Sequence, residues 1–170
     1  MSFDALSLVK DVDGLGSESR ARLGTVRQVH APATALGIAM LLEYGGFTAS
    51  RERGTHVAIV GKGRLCGSPL ATLLNAHPIA ASVTLCDVFT RNAATICRGV
   101  DVLVSAVGGG QVVRQKASIL QHSITLVAQI TPEHVNPAAE TVVIDVGGGD
   151  VWPEAGNVRF GRLCCCPVFC

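Results

Sequence analysis

His56-Val-Ala-Ile-Val-Gly-Lys-Gly-Arg-Leu-Cys-Gly-Ser-Pro-Leu70 is the stretch from which the fold can be read. An apolar, β-rich run stops at Gly61, glycines recur at Gly63 and Gly67, and a helical pattern opens near Pro69. Strand, glycine turn and helix start in that order let backbone N–H groups approach a pyrophosphate. Twenty residues past Gly67 stands Asp87, directly after a second apolar run, Ser82-Val-Thr-Leu-Cys86. A carboxylate at that offset can accept hydrogen bonds from the adenosine ribose of a dinucleotide. Glycine turns are common. The acid at the matching offset makes this one a dinucleotide-site candidate.

Outward from that stretch, short apolar runs at 56–60, 82–86, 100–106 and 141–146 predict strands, each bounded by glycine or polar residues. They are continuous rather than alternating, as expected of a sheet covered by helices on both faces. A helix is predicted from about Ser68 to Ala76 and a short helix or turn over Arg91–Arg98. Residues 8–30 read as polar and loop-like, with Asp11, Asp13, Gly14 and Gly16 as turn signals. Pro32 and Thr34 open a helical pattern with apolar Leu36, Ala39, Met40 and Leu42, which Gly45-Gly46 ends. The β-turn-α-β order with short connections predicts an α/β fold: a Rossmann-like parallel sheet with right-handed crossovers and flanking helices. The run Ile124–Ile130 fits either a further strand or a packed insertion.

A chain of 170 residues and 17.6 kDa suits one domain, or one domain with an incomplete piece of a second. Hydrophobic residues make up 48%, enough for a packed core. Lys and Arg number 14 against 13 Asp and Glu, without long blocks, so no nucleic-acid or membrane-surface footprint is expected. The nearly apolar stretch Ala31–Leu42 is interrupted by Pro32, Thr34 and Gly37 and is too short to span a bilayer. Met1-Ser-Phe-Asp4 lacks the features of a secretory signal, so the cytoplasm is expected, with a mitochondrial matrix as the alternative. Cys66, Cys86 and Cys97 lie in or beside apolar segments and read as small hydrophobes. Cys164, Cys165, Cys166 and Cys170 crowd a tail without the paired spacing of a zinc site, and the five histidines show no ligand spacing either. No metal is expected.

Six blocks, read in order, resemble the methylenetetrahydrofolate dehydrogenase/cyclohydrolase family. Lys10-Asp-Val-Asp-Gly-Leu15 resembles its lysine-aspartate-x-aspartate-glycine segment. Pro32-Ala-Thr34 with Gly37 resembles the proline-cysteine-threonine-proline-x-glycine segment, and Gly61 to Pro69 the cofactor loop. Val83-Thr-Leu-Cys86, Asp101 to Gly108, and Val142 to Gly147 resemble its later strands. The resemblance implies two α/β domains around a folate cleft. It also implies NAD- or NADP-dependent hydride transfer from 5,10-methylenetetrahydrofolate, followed by hydrolysis of the methenyl product to 10-formyltetrahydrofolate. By the same match, Asp13 is the acid that contacts the folate pterin, where the residues alone suggest only a turn-capping aspartate. Gly61, Lys62, Gly63 and Gly67 fall on the cofactor loop, Asp87 and Val88 on the ribose side, and Gly148 on a backbone contact near the nicotinamide. The implied organisation is a folate-side segment with a linking helix over 1–50, an NAD(P)-binding domain over 51–161 and a cysteine-rich tail over 162–170. A homodimer formed through the cofactor domains is also implied.

The chain departs from the family pattern in several places. The family's tyrosine-x-x-x-lysine motif, whose lysine drives the cyclohydrolase step, has no counterpart here: Tyr44 is followed four residues later by Thr48, and the only lysines are Lys10, Lys62 and Lys116. No catalytic residue is therefore assigned. Residues between Gly108 and Asp145 include an insertion of roughly twenty relative to the family, the carboxyl-terminal proline-glycine block is replaced by the tail, and Ala35 replaces the second proline of the folate-side segment. Where the family usually has histidine-serine, this chain has Asp87-Val88. A carboxylate there repels a 2′-phosphate by a few kcal/mol at partly shielded contact distance, roughly enough to favour NAD over NADP. Lys62, Arg64 and Arg91 act in the opposite sense if they line the phosphate. The expected function is methylenetetrahydrofolate dehydrogenase. Its alternative is a catalytically inactive nucleotide-binding homologue.

Overall fold

The structure, a computed structural model, describes residues 3–25, 30–47, 54–76, 79–107, 141–146 and 159–162. Five parallel strands form one sheet in the order β2-β1-β3-β4-β5: β1 His56–Val60, β2 Ser82–Cys86, β3 Val102–Ser105, β4 Val142–Asp145 and β5 Arg159–Arg162. The helices are α1 Ser17–Arg22, α2 Ala33–Tyr44, α3 Gly67–Asn75 and α4 Ala93–Arg98. Central β1 pairs Val57 with Val83 on one side and with Val102 on the other, and Val104 pairs with Ile144 further out. Chain direction through the sheet therefore reverses around β1. The crossover through α3 runs outward to β2, and the one through α4 returns past β1 to β3. A crevice opens at the carboxyl ends of β1 and β3, the point where ligands bind in open α/β sheets.

In β1 and β3 the continuous apolar runs are buried on both faces of the sheet. Val57 and Ile59 point to one side, where they meet Ile38 and Leu42 of α2, Leu70 and Leu74 of α3, and Val104. Ala58 and Val60 point to the other and meet Cys86, Cys97 of α4, Leu103 and Val143. Each fully buried aliphatic side chain stabilises the fold by about 1.5–3 kcal/mol. On α2 the buried residues are Ala35, Ile38, Ala39 and Leu42, while Leu36 and Met40 face outward at 41% and 61% exposure. The apolar pattern of this helix is broader than the stripe that enters the core. At its end, Gly45 and Gly46 accept the stop: the Gly45 and Gly46 amides bond the Leu41 and Glu43 carbonyls, and Gly46 has φ +84°.

Two expectations change. Residues 8–30 are not wholly loop: α1 occupies Ser17–Arg22, and Leu8–Lys10 makes a 3-10 turn. Five of the six residues of α1 are polar, Ala21 being the exception, and they show no hydrophobic period. Its exposed amides are instead held by carboxylates from earlier in the chain. The Leu15 and Gly16 amides and the Ser19 hydroxyl donate to Asp11 at 3.1, 2.8 and 2.5 Å, and the Ser17 amide donates to Asp4 at 2.7 Å. A carboxylate at a helix start is favourable because it meets unpaired N–H groups and the positive end of the helix dipole. The second change is β5, a strand that no apolar run announces, because Arg159-Phe-Gly-Arg162 is polar at both ends. The Ile124–Ile130 run lies outside the described residues, as does the cysteine-rich tail beyond Arg162, which itself closes β5.

Candidate dinucleotide site

Gly61 ends β1 with φ +103°, a conformation that side chains rarely adopt. A Cβ at this position would lie 2.6 Å from the Ala106 carbonyl oxygen beyond β3, so the residue must be glycine for β1 and β3 to approach. Gly67 closes the turn from the other end, because a Cβ there would collide with the carbonyl of Gly61. The Ser68 hydroxyl donates to the Lys62 carbonyl at 2.8 Å, and the Ser68 amide to the Gly63 carbonyl at 3.1 Å. α3 thus begins directly over the turn, with its positive end at the switch point of the sheet. Pro69 is buried in the first turn of α3, where a missing N–H does no harm.

The turn is also tied to β2. The Gly61 amide donates to the Cys86 carbonyl at 2.8 Å, continuing the β1–β2 register past Val60↔Cys86. Consequently the next residues on each strand, Lys62 and Asp87, come together as an ion pair. Lys62 is largely exposed at 61%, and the Asp87 side chain only at 16%. Inside the following turn, Asp87 Oδ1 accepts the Phe89 amide at 3.0 Å and the Thr90 hydroxyl at 3.1 Å. The Thr90 oxygen in turn accepts the Asp87 amide at 2.8 Å, and the Thr90 amide donates to the Asp87 carbonyl at 3.0 Å. Hydrogen bonding to the Lys62 ammonium, with help from the Phe89 amide and Thr90, holds the Asp87 carboxyl below the ordinary aspartate range. It is an anion at neutral pH. Val88 and Phe89, at the tip of this turn, are 40% and 79% exposed. Beneath it, Cys86 and Cys97 are buried against each other; hydrogen bonding to Cys86 and burial push the Cys97 thiol up, so it stays a neutral apolar filler.

Residues 32–127, more than half of the chain, match the tetrahydrofolate dehydrogenase/cyclohydrolase family in its NAD(P)-binding domain. The chain belongs to that family. It is 35% identical over 161 residues to the bifunctional protein FolD of Amoebophilus asiaticus, covering 94% of this chain and 46% of the relative. A FolD of Cereibacter sphaeroides is 35% identical over 144 residues, covering 85% of this chain and 40% of the relative. Among solved structures, the Trypanosoma brucei methylenetetrahydrofolate dehydrogenase-cyclohydrolase, complexed with NADP and an inhibitor, matches with a TM-score of 0.62 and 26% identity over 92% of this chain and 51% of its own. A silkworm, Bombyx mori, 5,10-methylenetetrahydrofolate dehydrogenase shares the fold with a TM-score of 0.70 at 23% identity, over 92% of this chain and 53% of its own. The chain spans about half the length of the curated relatives it matches.

Against this family background, the structure brings Gly61, Lys62, Gly63, Gly67, Asp87 and Val88 to one place, the carboxyl ends of β1 and β2. Gly148 lies outside the described residues. Asp13 sits elsewhere, on the segment that packs against the start of α2, where a Cβ on Gly14 would lie 2.7 Å from the His30 carbonyl. Asp13 is exposed and, among the described residues, no hydrogen bond or ion pair ties it to the glycine turn. The buried acid of that segment is Asp11, at 4% exposure. Thr90 escaped the sequence reading. Its signal was the Asp87-Val-Phe-Thr90 spacing, an acid and a hydroxyl three residues apart, which marks a side-chain-stapled turn. No helix among the described residues is long and apolar enough to cross a membrane.

Proposed function

We propose that this chain supplies the cofactor half of a methylenetetrahydrofolate dehydrogenase, binding NAD or NADP over the glycine turn for hydride transfer from 5,10-methylenetetrahydrofolate. The observation that carries this reading is the turn itself. Gly61 and Gly67 fit only without a Cβ, and they place α3's amino end and a fixed carboxylate around one crevice. The pyrophosphate lies against the turn and the amino end of α3, and the adenosine ribose lies beside Asp87. Ribose hydroxyls donate to Asp87, while a 2′-phosphate meets its charge, so NAD is preferred over NADP. The Lys62 ammonium neutralises part of that charge and keeps the preference modest. Hydride transfer depends chiefly on positioning cofactor and folate together, which this half of the site begins to do.

The folate side is assigned to Asp13 within residues 1–50, the cofactor domain to 51–161, and a nicotinamide backbone contact to Gly148. Outer strand β2, with Ser82 and Leu85 exposed, supports a homodimer formed through the cofactor domains. The free thiols of Cys86 and Cys97 fit a reducing compartment, cytoplasm or mitochondrial matrix. The test is cofactor reduction followed after mixing the chain with 5,10-methylenetetrahydrofolate and NAD or NADP. Reduction that requires both folate and cofactor is expected. A folded chain that binds cofactor yet reduces none would instead establish the inactive nucleotide-binding homologue.

A further inference from the structure

We propose that Thr90 is the positioning residue that sets cofactor selection, acting through Asp87; the inference rests on the dinucleotide-site reading above. Thr90 Oγ1 is used twice, accepting the Asp87 amide at 2.8 Å and donating to Asp87 Oδ1 at 3.1 Å. The Phe89 amide adds a second donor to the same oxygen at 3.0 Å. With Oδ1 committed inside the turn, the carboxylate has one orientation, and Oδ2 alone is presented outward, where Lys62 meets it. A lone aspartate with 16% exposure at a strand end has a choice of rotamers. Thr90 removes that choice. The acid is thereby held where a ribose hydroxyl can donate to it and where a 2′-phosphate cannot avoid it. Lys62 reaches the outward oxygen from the other strand, so the ribose and Lys62 share it. The three residues form one unit in which Asp87 selects, Lys62 moderates and Thr90 aims.

A valine at position 90 has nearly the shape of threonine but neither hydrogen bond. In Thr90→Val the carboxylate is free to turn away from the ribose, which weakens NADH and relieves the repulsion of NADPH. The NADH-over-NADPH affinity ratio of the full chain, read by fluorescence titration with both nucleotides, should fall about fivefold, the size of one net hydrogen bond. Thr90→Ser, which keeps the hydroxyl, should restore the ratio. The decisive readout is a double-mutant cycle with Asp87→Asn: once the acid's charge is gone, Thr90→Val should leave the ratio unchanged. A merely structural role for Thr90 would lower affinity for both nucleotides alike, with or without Asp87, and that result overturns the proposal. So does an unaltered ratio in Thr90→Val with thermal stability intact. Binding of neither nucleotide by the folded wild-type chain overturns the site reading itself, and the selection role with it. Should Thr90→Val fail to fold, Thr90→Ala measured at low temperature provides the same cycle.

Discussion

Asp11 shows how much a single buried carboxylate can organise. It is 4% exposed, yet it accepts two amides and one hydroxyl from the start of α1, and a Cβ on Gly16 would lie 2.9 Å from its Oδ2. The Ser19 hydroxyl, with the Gly16, Leu15 and Gly14 amides, holds its carboxyl below the ordinary value of 3.8 despite burial, which acts in the opposite sense. The native state therefore binds the proton more weakly than the unfolded chain does. The resulting stability is fully present above the ordinary aspartate value and is lost as pH falls through the lowered one. Asp11→Ala removes these bonds and leaves their buried donors unpaired, so it should destabilise the chain by about 2–3 kcal/mol at neutral pH. The difference in unfolding free energy between wild type and variant should shrink as pH falls below the ordinary aspartate value of 3.8. A difference that stays constant over that window, in paired denaturant melts, would contradict the role given to the charge. At this scale the sequence was only partly legible. Asp11 and Asp13 both read as turn residues, and nothing in a Lys-Asp-Val-Asp-Gly string says which acid the fold will bury. That is decided by where Ser19 and the Gly16 amide lie, thus by α1, which has no hydrophobic period of its own.

Elements of the sheet were the most legible part, for a physical reason. A parallel strand buried on both faces must be a continuous apolar run, as β1 and β3 are; largely apolar runs also lie in β4 and in the edge strand β2, which keeps Ser82 and Leu85 exposed. The glycine turn was legible as well, because its requirement is steric and local: φ +103° at Gly61 and no room for a Cβ at Gly61 or Gly67. β5 and α1 were not, since each is held by partners elsewhere in the chain: β5 by the β4 backbone, α1 by Asp4 and Asp11. The turn gives the element-scale prediction. Gly61→Ala forces both the strained φ and the 2.6 Å contact with the Ala106 carbonyl, so it should destabilise the chain by about 2–4 kcal/mol and abolish nucleotide binding. Circular dichroism melts and a nucleotide titration check the two effects. A variant of wild-type stability that still binds would mean that β1 and β3 are not locked at their carboxyl ends as described.

In the whole molecule, the sheet order β2-β1-β3 places the diverging crossovers through α3 and α4 on opposite sides of β1. That divergence makes the crevice, and the β1–β2 register past Cys86 brings Lys62 and Asp87 to its rim. α2 joins the same core as β1 and α3 through Ile38 and Leu42, so this helix is packed against the sheet. The long-range choice of pairing, such as Lys62 with Asp87, was invisible in sequence, where both read as separate ligands of a cofactor. It follows only from register. The central claim is that these residues make a working dinucleotide site within the chain's own fold. It is tested most directly by isothermal titration calorimetry of the purified chain with NADH and then NADPH. Saturable binding of one nucleotide per chain, tighter for NADH, is the expected result. No saturable heat from either nucleotide, with a folded protein shown by its melting transition, would contradict it.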